Sequence, residues 1–226
     1  MKPDAFLAAL QLADSALPIG RFAHSSGLEA LLRGDSGVGE SDLVEIVESF
    51  LLESAGPLDG VALAHAHRAG TLEELRRLDR LVTTRKLTPA ARLASISCGR
   101  QLAGLAPLLT ETDPAAAYCA EAVEGATDGN LAVVEGALAR ARGLGVEEAV
   151  LLELRGAAWA ILSAAVRLGR LSARRAQAAL AGLEPALCAA ATEALTLPAG
   201  SMRSSLPELE VHALRHGWAD ARLFAT

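Results

Sequence analysis

The amino-acid composition predicts an all-α protein. The 226 residues are 51% hydrophobic but only 3% aromatic, and Ala and Leu dominate the apolar positions. Runs of β-branched and aromatic residues, which β-strands favour, are few. Apolar residues recur instead at spacings of three and four, the period of a helix with one buried face. We therefore expect a single-domain helical bundle, since a chain of this length buries roughly 70 to 75% of its unfolded surface.

Capping residues and helix breakers divide the chain into about ten helices. Residues suited to helix starts precede the apolar stretches at Asp4, Ser25 or Ser26, Ser41, Thr71, Thr88, Asp113 and Ser172. Thr71 and Glu74 have the spacing of a capping box. Gly56 and Pro57 are expected to end the third helix, because proline cannot continue a regular helix, and a short helix then follows over residues 58–69.

The longest and most apolar helix begins at Val146 and is predicted to be the centre of the bundle. Its apolar residues leave almost no polar face, as is typical of a helix surrounded by others. Its many alanines allow neighbouring helices to approach closely. We therefore expect the other helices to pack around it.

Residues 1–195 are predicted to form the helical domain. A last long helix begins at Ser172 and is expected to bend at Pro185. From Thr196 onward Pro, Gly and Ser become frequent, as they are in linkers. Residues 196–226 are therefore predicted to be a linker, a short helix and a flexible C-terminal tail of the same domain.

Charge and cysteine usage exclude several functional classes. The formal net charge is -6, whereas nucleic-acid binding relies on clustered Lys and Arg. Three widely spaced cysteines, Cys98, Cys119 and Cys188, form neither a disulfide framework nor a zinc motif. The N-terminus lacks the pattern of a secretory signal, and the apolar run 156–166 is shorter than a membrane span. We expect a cytoplasmic protein without nucleic-acid or membrane partners.

The sequence contains few motifs for catalysis or cofactor binding. It has no GxxxxGK phosphate loop and no Glu-x-x-His pair for a di-metal site. His65 and His67 lie on different helix faces and are expected to be surface or packing residues. His212 and His216 share a face, but two ligands make a weak metal site. The sequence therefore indicates a protein that is not an enzyme and has no resident metal.

The segment from Leu10 to Glu29 carries the most informative motif. Pro18 and Gly20 place a loop between two helices, since proline restricts its predecessor and glycine adopts angles that other residues avoid. The segment resembles the N-terminal signature of the urease accessory protein UreF family, in which Leu-Gln-Leu and Asp-Ser precede Pro-x-Gly-x-Phe-x-His/Tyr-Ser-x-Gly-Leu-Glu. The matching residues are Leu10, Gln11, Leu12, Asp14, Ser15, Pro18, Gly20, Phe22, His24, Ser25, Gly27, Leu28 and Glu29.

The resemblance extends along nearly the whole chain. Further similar segments lie at residues 129–136, 163–168, 204–211 and 222–224. The first of these opens a central helix in the family, here with Asn130 where His is usual. The stretch after Arg167 departs most from the family's Gly-Pro-Leu-Gly-Gln pattern.

The resemblance implies an all-helical maturation factor without catalysis of its own. Members of the family form homodimers, bind the accessory protein UreD (also called UreH), and together recruit the GTPase UreG, which carries nickel to apo-urease. Regulation of GTP hydrolysis and conduction of nickel are also attributed to the family. No cofactor is then bound stably, because nickel is in transit and GTP belongs to the partner.

Two segments are the predicted partner-binding sites. The first consists of Pro18, Gly20, Phe22, His24, Ser25, Gly27 and Glu29, and the second of Arg222, Leu223 and Phe224. The second has a charged fork beside two apolar anchors, the composition of a segment that orders on binding. We expect the two segments to lie near each other and to form the surface that receives the GTPase. Arg21 is expected to be an ordinary solvated arginine.

Two alternatives remain open. A helical protein-protein interaction module that has lost or changed the urease role would explain the departures at Asn130, residues 173–176 and Gly217. A helical-bundle enzyme or ligand sensor would use the Ala-rich core as a pocket. Co-purification with UreD and UreG separates the scaffold from the first alternative, and a small-molecule thermal shift would favour the second.

Overall fold

The computed structural model describes residues 2–34, 37–216 and 223–225, and no β-strand occurs among them. The α-helices are α1 Pro3–Ala13, α2 Leu28–Gly34, α3 Glu40–Phe50, α4 Val61–Arg68, α5 Leu72–Arg85, α6 Pro89–Gly104, α7 Ala106–Leu109, α8 Ala115–Glu124, α9 Leu131–Ala141, α10 Val146–Arg167, α11 Ala173–Gly182, α12 Glu184–Thr196 and α13 Pro207–His216. Short 3-10 turns occupy Arg21–Ala23 and Ala199–Ser201, and a π-helical stretch occupies Leu51–Gly60. The predicted all-α fold is confirmed.

Two helices, α9 and α10, form the centre of the fold. The 22-residue α10 packs against α1, α3, α9 and α12, among others, as predicted for the longest apolar helix. One side of it nevertheless reaches solvent, where Arg155 is exposed. In α9, by contrast, residues 131–139 are all buried, between α4, α6, α8 and α10. The helix surrounded on all sides is therefore α9, and α10 is the long helix beside it.

Close packing of α9 on α4 depends on a glycine. A Cβ atom built on Gly136 would lie 2.6 Å from the carbonyl oxygen of Leu63 and 2.9 Å from the Cβ of Ala66. These distances leave no room for a side chain. Gly136 is therefore required by the approach of the two helix backbones.

The predicted helix end at Gly56 and Pro57 is wrong. The chain runs from α3 through the π-helical stretch into α4 without a break. Proline has no N–H, and its ring crowds the carbonyl four residues earlier, which is that of Glu53. This carbonyl accepts a hydrogen bond from the N–H of Ser205 at 2.9 Å, and the Pro57 carbonyl accepts one from the N–H of Arg203 at 3.2 Å. The wider π turn and a distant segment together accommodate the proline.

Side-chain caps follow the sequence prediction at three helix starts. The capping residues are Thr71, Thr88 and Ser172. Thr71 Oγ1 accepts from the N–H of Glu74 at 3.2 Å, and the Glu74 carboxylate accepts from the N–H of Thr71 at 3.1 Å, which completes the capping box. Two other predicted caps lie inside their helices, because α1 begins before Asp4 and α3 begins before Ser41.

The last long helix bends as predicted. An angle of 49° separates α11 from α12, and Pro185 lies in the first turn of α12. By length and composition alone α10 could cross a membrane, as could the bent pair counted as one span. Half of the most apolar window of α10 is buried by neighbouring helices, so its place in the core accounts for its composition.

Candidate functional site

The signature forms a loop that leads from α1 into α2. Gly20, with a φ of 78°, opens the 3-10 turn at residues 21–23, and Ser26 and Gly27, with φ of 53° and 87°, reverse the chain again. A Cβ atom built on Gly27 would lie 2.5 Å from the carbonyl oxygen of Leu209 in α13. Glycine is therefore required at this position both by the backbone angle and by the approach of α13.

Glu29 joins the signature to the C-terminal tail. Its carboxylate is buried in the first turn of α2 and accepts hydrogen bonds from the backbone N–H groups of Leu223, at 2.9 Å, and Phe224, at 3.2 Å. Arg33 donates to the same carboxylate at 2.6 Å. The structure thus brings the two predicted segments together.

Phe224 anchors the tail to the body of the protein. Its side chain is 3% exposed, and the guanidinium carbon of Arg167 lies 4.2 Å from its ring centroid, a cation–π contact. The N–H of Ala225 donates to the carbonyl of Ala23 at 2.8 Å. The contacts of Phe224 are therefore made within the chain, whereas Leu223 beside it is exposed.

The other predicted site residues divide between surface and interior. Pro18 is exposed, and Phe22 is 64% exposed. His24 is half-buried, and burial lowers the pKa of its ring, which favours the neutral form. Ser25 is fully buried at the start of α2. Arg222 lies outside the described residues.

Arg21 is not the solvated arginine that the sequence predicts. Its guanidinium forms an ion pair with Glu153 of α10 and lies 3.8 Å from the carboxylate of Glu135 in α9. The side chains of both glutamates are only 6% exposed. A Cβ atom on Gly156 would overlap the guanidinium, so the glycine of α10 leaves room for it. Arg21 therefore ties the signature to both central helices.

Two carboxyl groups share this one arginine. Burial and the neighbouring charge of Glu153 raise the pKa of Glu135 well above its ordinary value, against the opposing effect of Arg21. Burial by itself lowers the pKa of Arg21, but the charges of the two glutamates more than offset it, so the guanidinium stays protonated. The sequence does contain a signal for this buried site, because Glu135 and Glu153 interrupt the otherwise apolar faces of α9 and α10.

A second buried polar network fixes the start of α9. Asp79 of α5 accepts from the backbone N–H groups of Gly129, at 2.9 Å, and Asn130, at 2.7 Å, and from the Asn130 side-chain amide at 2.8 Å. The same amide donates to the hydroxyl of Thr83 at 2.8 Å. The NH2 group of the asparagine that stands where the family usually has histidine is thus held by α5, whereas its buried Oδ1 has no hydrogen-bond partner within the described structure.

Metal-binding side chains are not clustered in the described ranges. No group of three or more His, Cys, Asp or Glu there is arranged to hold a metal ion. The Nε2 atoms of His65 and His67 lie 2.9 and 2.8 Å from backbone carbonyl oxygens, which fits a packing role. His212 is half-buried on α13, and the side chain of His216 is not described.

Comparison with known proteins identifies the family. The UreF family model matches residues 38–184. The urease accessory protein UreF of Trichodesmium erythraeum (strain IMS101) is 30% identical over 222 residues, which cover 97% of this chain and 96% of the relative. Its namesakes from Yersinia enterocolitica (strain NCTC 13174 / 8081) and Yersinia pseudotuberculosis (strain PB1/+) are also 30% identical, over 96% of both chains. With the family's signature folded around Glu29, these matches show that the chain belongs to the UreF family of urease accessory proteins.

Proposed function

We propose that this protein is a scaffold for urease maturation with no catalysis of its own. It binds UreD (UreH) and recruits the GTPase UreG, which delivers nickel to apo-urease. No cofactor is bound stably in this scheme, because nickel passes through the complex and GTP stays on UreG. The scaffold regulates the hydrolysis of GTP by UreG. The observation that carries the proposal is the similarity to UreF proteins over 97% of the chain.

The joined signature and tail support a partner-binding role. Phe22 and Leu223 are 64% and 60% exposed, although each lies on a segment that hydrogen bonds hold in place. Large apolar side chains fixed at a surface, aromatic ones above all, are typical anchors of protein interfaces. Because Glu29 already orders the tail, a partner meets a preformed surface and the entropic cost of binding is smaller. We propose that UreG is recruited here.

We also propose that the protein is a homodimer. Three neighbouring side chains of α1, Phe6, Leu7 and Leu10, are apolar and exposed. Apolar faces of this kind are commonly covered by a partner, and the family resemblance suggests a second copy. Sedimentation equilibrium should show a dimer, and Leu7→Glu should shift it toward the monomer. A wild-type protein that stays monomeric at every concentration would contradict the proposal.

A pull-down with UreD and UreG from the same source tests the scaffold. We expect the full-length chain to give a ternary complex, and a version ending at Asp220 or carrying Arg222→Ala to lose UreG. Phe22→Ala should weaken recruitment by about tenfold or more, as loss of an aromatic anchor does. The matched control is Leu108→Ala, which removes a side chain 82% exposed on α7 and should change nothing.

The outcomes separate the parts of the proposal. Recruitment of UreG by the truncated chain and by Phe22→Ala at the wild-type level would show that the signature and tail are not the binding surface. Failure of the full-length chain to bind either partner, under conditions where UreD is soluble, would favour a helical interaction module with a changed role.

A further inference from the structure

A cavity of about 170 Å³ lies between the signature, α6 and α13. Apolar side chains, among them Leu58, Ala94 and Leu209, form much of its wall. The cavity opens to the surface beside the exposed residues Leu87 and Ala91, and a volume of about 150 Å³ can hold a molecule the size of benzene. This cavity therefore has room for a ligand of about six non-hydrogen atoms. The proposed scaffold role does not require it.

Ser95 of α6 lines this cavity and has an unsatisfied hydroxyl group. The residue is 7% exposed, and its Oγ has no hydrogen-bond partner within the described structure. Burying a hydroxyl group without a partner is unfavourable, and such groups in native structures call for an explanation. A hydrogen-bonding group of a bound molecule would satisfy Ser95.

Glu210 supplies a negative charge to the same cavity from α13. One of its carboxylate oxygens accepts a hydrogen bond from the Ser204 hydroxyl at 2.9 Å. The two cations of the lining, Arg21 and Lys86, are each paired with a different carboxylate. Among the described residues no cation lies within ion-pair distance of Glu210. Glu210 is therefore free to bind a cationic group that enters the cavity.

We propose that the cavity binds a small organic cation. Its ammonium group pairs with Glu210, a short alkyl chain lies against the apolar wall, and a hydroxyl or carbonyl group at the other end bonds with Ser95. Among the described residues of the lining are three carboxylates and two cations, a balance that favours a cation over an anion. A metal ion fits poorly, since the described residues include no cluster of three metal-binding side chains. The site belongs to the isolated chain and does not depend on UreD or UreG.

Calorimetric titration with 4-amino-1-butanol tests both ends of the site. We expect saturable binding with a Kd of about 1 mM, in keeping with the small size of the probe. Butylammonium, which lacks the hydroxyl group, should bind more weakly, and 4-hydroxybutyrate, which carries the opposite charge, should not bind. Equal binding of the cation and the anion, or no saturable binding up to about 100 mM, would overturn the proposal.

Variants of the lining locate the ligand. Glu210→Gln should weaken binding of 4-amino-1-butanol about tenfold, and Ser95→Ala about fivefold without changing the affinity for butylammonium. Ser97→Ala, exposed on the same helix, is the matched control. Ala94→Leu fills the cavity and should abolish binding of 4-amino-1-butanol, while the helical content and Tm stay at their wild-type values. If that variant does not fold, Ala91→Leu blocks the same wall nearer its edge. Unchanged binding in a folded blocked variant would refute the site.

Discussion

The carboxylate of Glu29 links the signature to the tail, and Glu29→Gln tests that link. The N–H groups of Leu223 and Phe224 donate to its two oxygens, and Arg33 donates to one of them. Glutamine keeps one acceptor oxygen but turns an NH2 donor toward the second N–H, and the negative charge is lost. A hydrogen bond to a charged group contributes about 1.5–3 kcal/mol. We therefore expect the substitution to weaken the attachment of the tail by about 2–4 kcal/mol, or roughly 30- to 700-fold.

Native-state hydrogen exchange at the backbone amides of Leu223 and Phe224 measures how firmly the tail is attached. Their exchange should accelerate at least about 30-fold while amides in α9 change little, because the tail detaches locally and the core stays folded. Glu124→Gln replaces an exposed carboxylate on α8 and is the matched control. Unchanged exchange at both amides would refute the role of Glu29. Equal acceleration in the tail and in α9 would show that Glu29 supports the whole fold instead.

Three further predictions concern the interior. The pKa of Glu135 is raised in the folded state, which means that the folded protein binds this proton more tightly than the unfolded chain does. The stability gained from that proton is fully present below the unfolded pKa of Glu135 and is lost as pH rises through its folded pKa. Glu135→Gln should therefore reduce the difference between the free energies of unfolding that urea denaturation gives at about pH 5 and about pH 8. Asp79→Asn replaces an acceptor oxygen that faces buried N–H groups with a donor, and should lower the free energy of unfolding by about 2–4 kcal/mol in the same assay. Gly136→Ala should lower the free energy of unfolding by about 1–3 kcal/mol, because the added Cβ meets the α4 backbone. Gly182→Ala, where the added atom has open space around it, should leave the free energy of unfolding unchanged or raise it by up to about 1 kcal/mol. Equal effects of the two substitutions would contradict the packing account.

Local features of the fold could be predicted from the sequence, and long-range ones could not. The cap at Thr71 is local, because a hydroxyl group meets an N–H three residues away. Pro57 remains inside a continuous helix because carbonyls of that helix bond with the N–H groups of Arg203 and Ser205, far along the chain. The length of α10 likewise favours it as the central helix, whereas the shorter α9 is the one surrounded on all sides.

The candidate site shows the same division. Glu29 and Phe224 are 195 residues apart, so their contact could be anticipated only through the family resemblance. Arg21 follows a glycine in a loop, a setting typical of a solvated side chain. Its burial depends on Glu135 and Glu153, which belong to helices much later in the sequence. Acidic residues on otherwise apolar helix faces indicate that a buried cation is needed, but they do not say which cation supplies it.

Two of the arginines that depart from the family pattern after Leu168, Arg170 and Arg175, make contacts inside the chain. Arg170 donates to the carbonyl of Leu32 at 3.0 Å, in the last turn of α2, where carbonyls lack helical partners and a cation is favourable. Arg175 forms an ion pair with Glu40 at the start of α3. One end of α2 therefore holds the tail through Glu29, and the other is bound to the segment before α11. The departures at these two positions therefore have a structural explanation in this chain and do not by themselves indicate a changed partner.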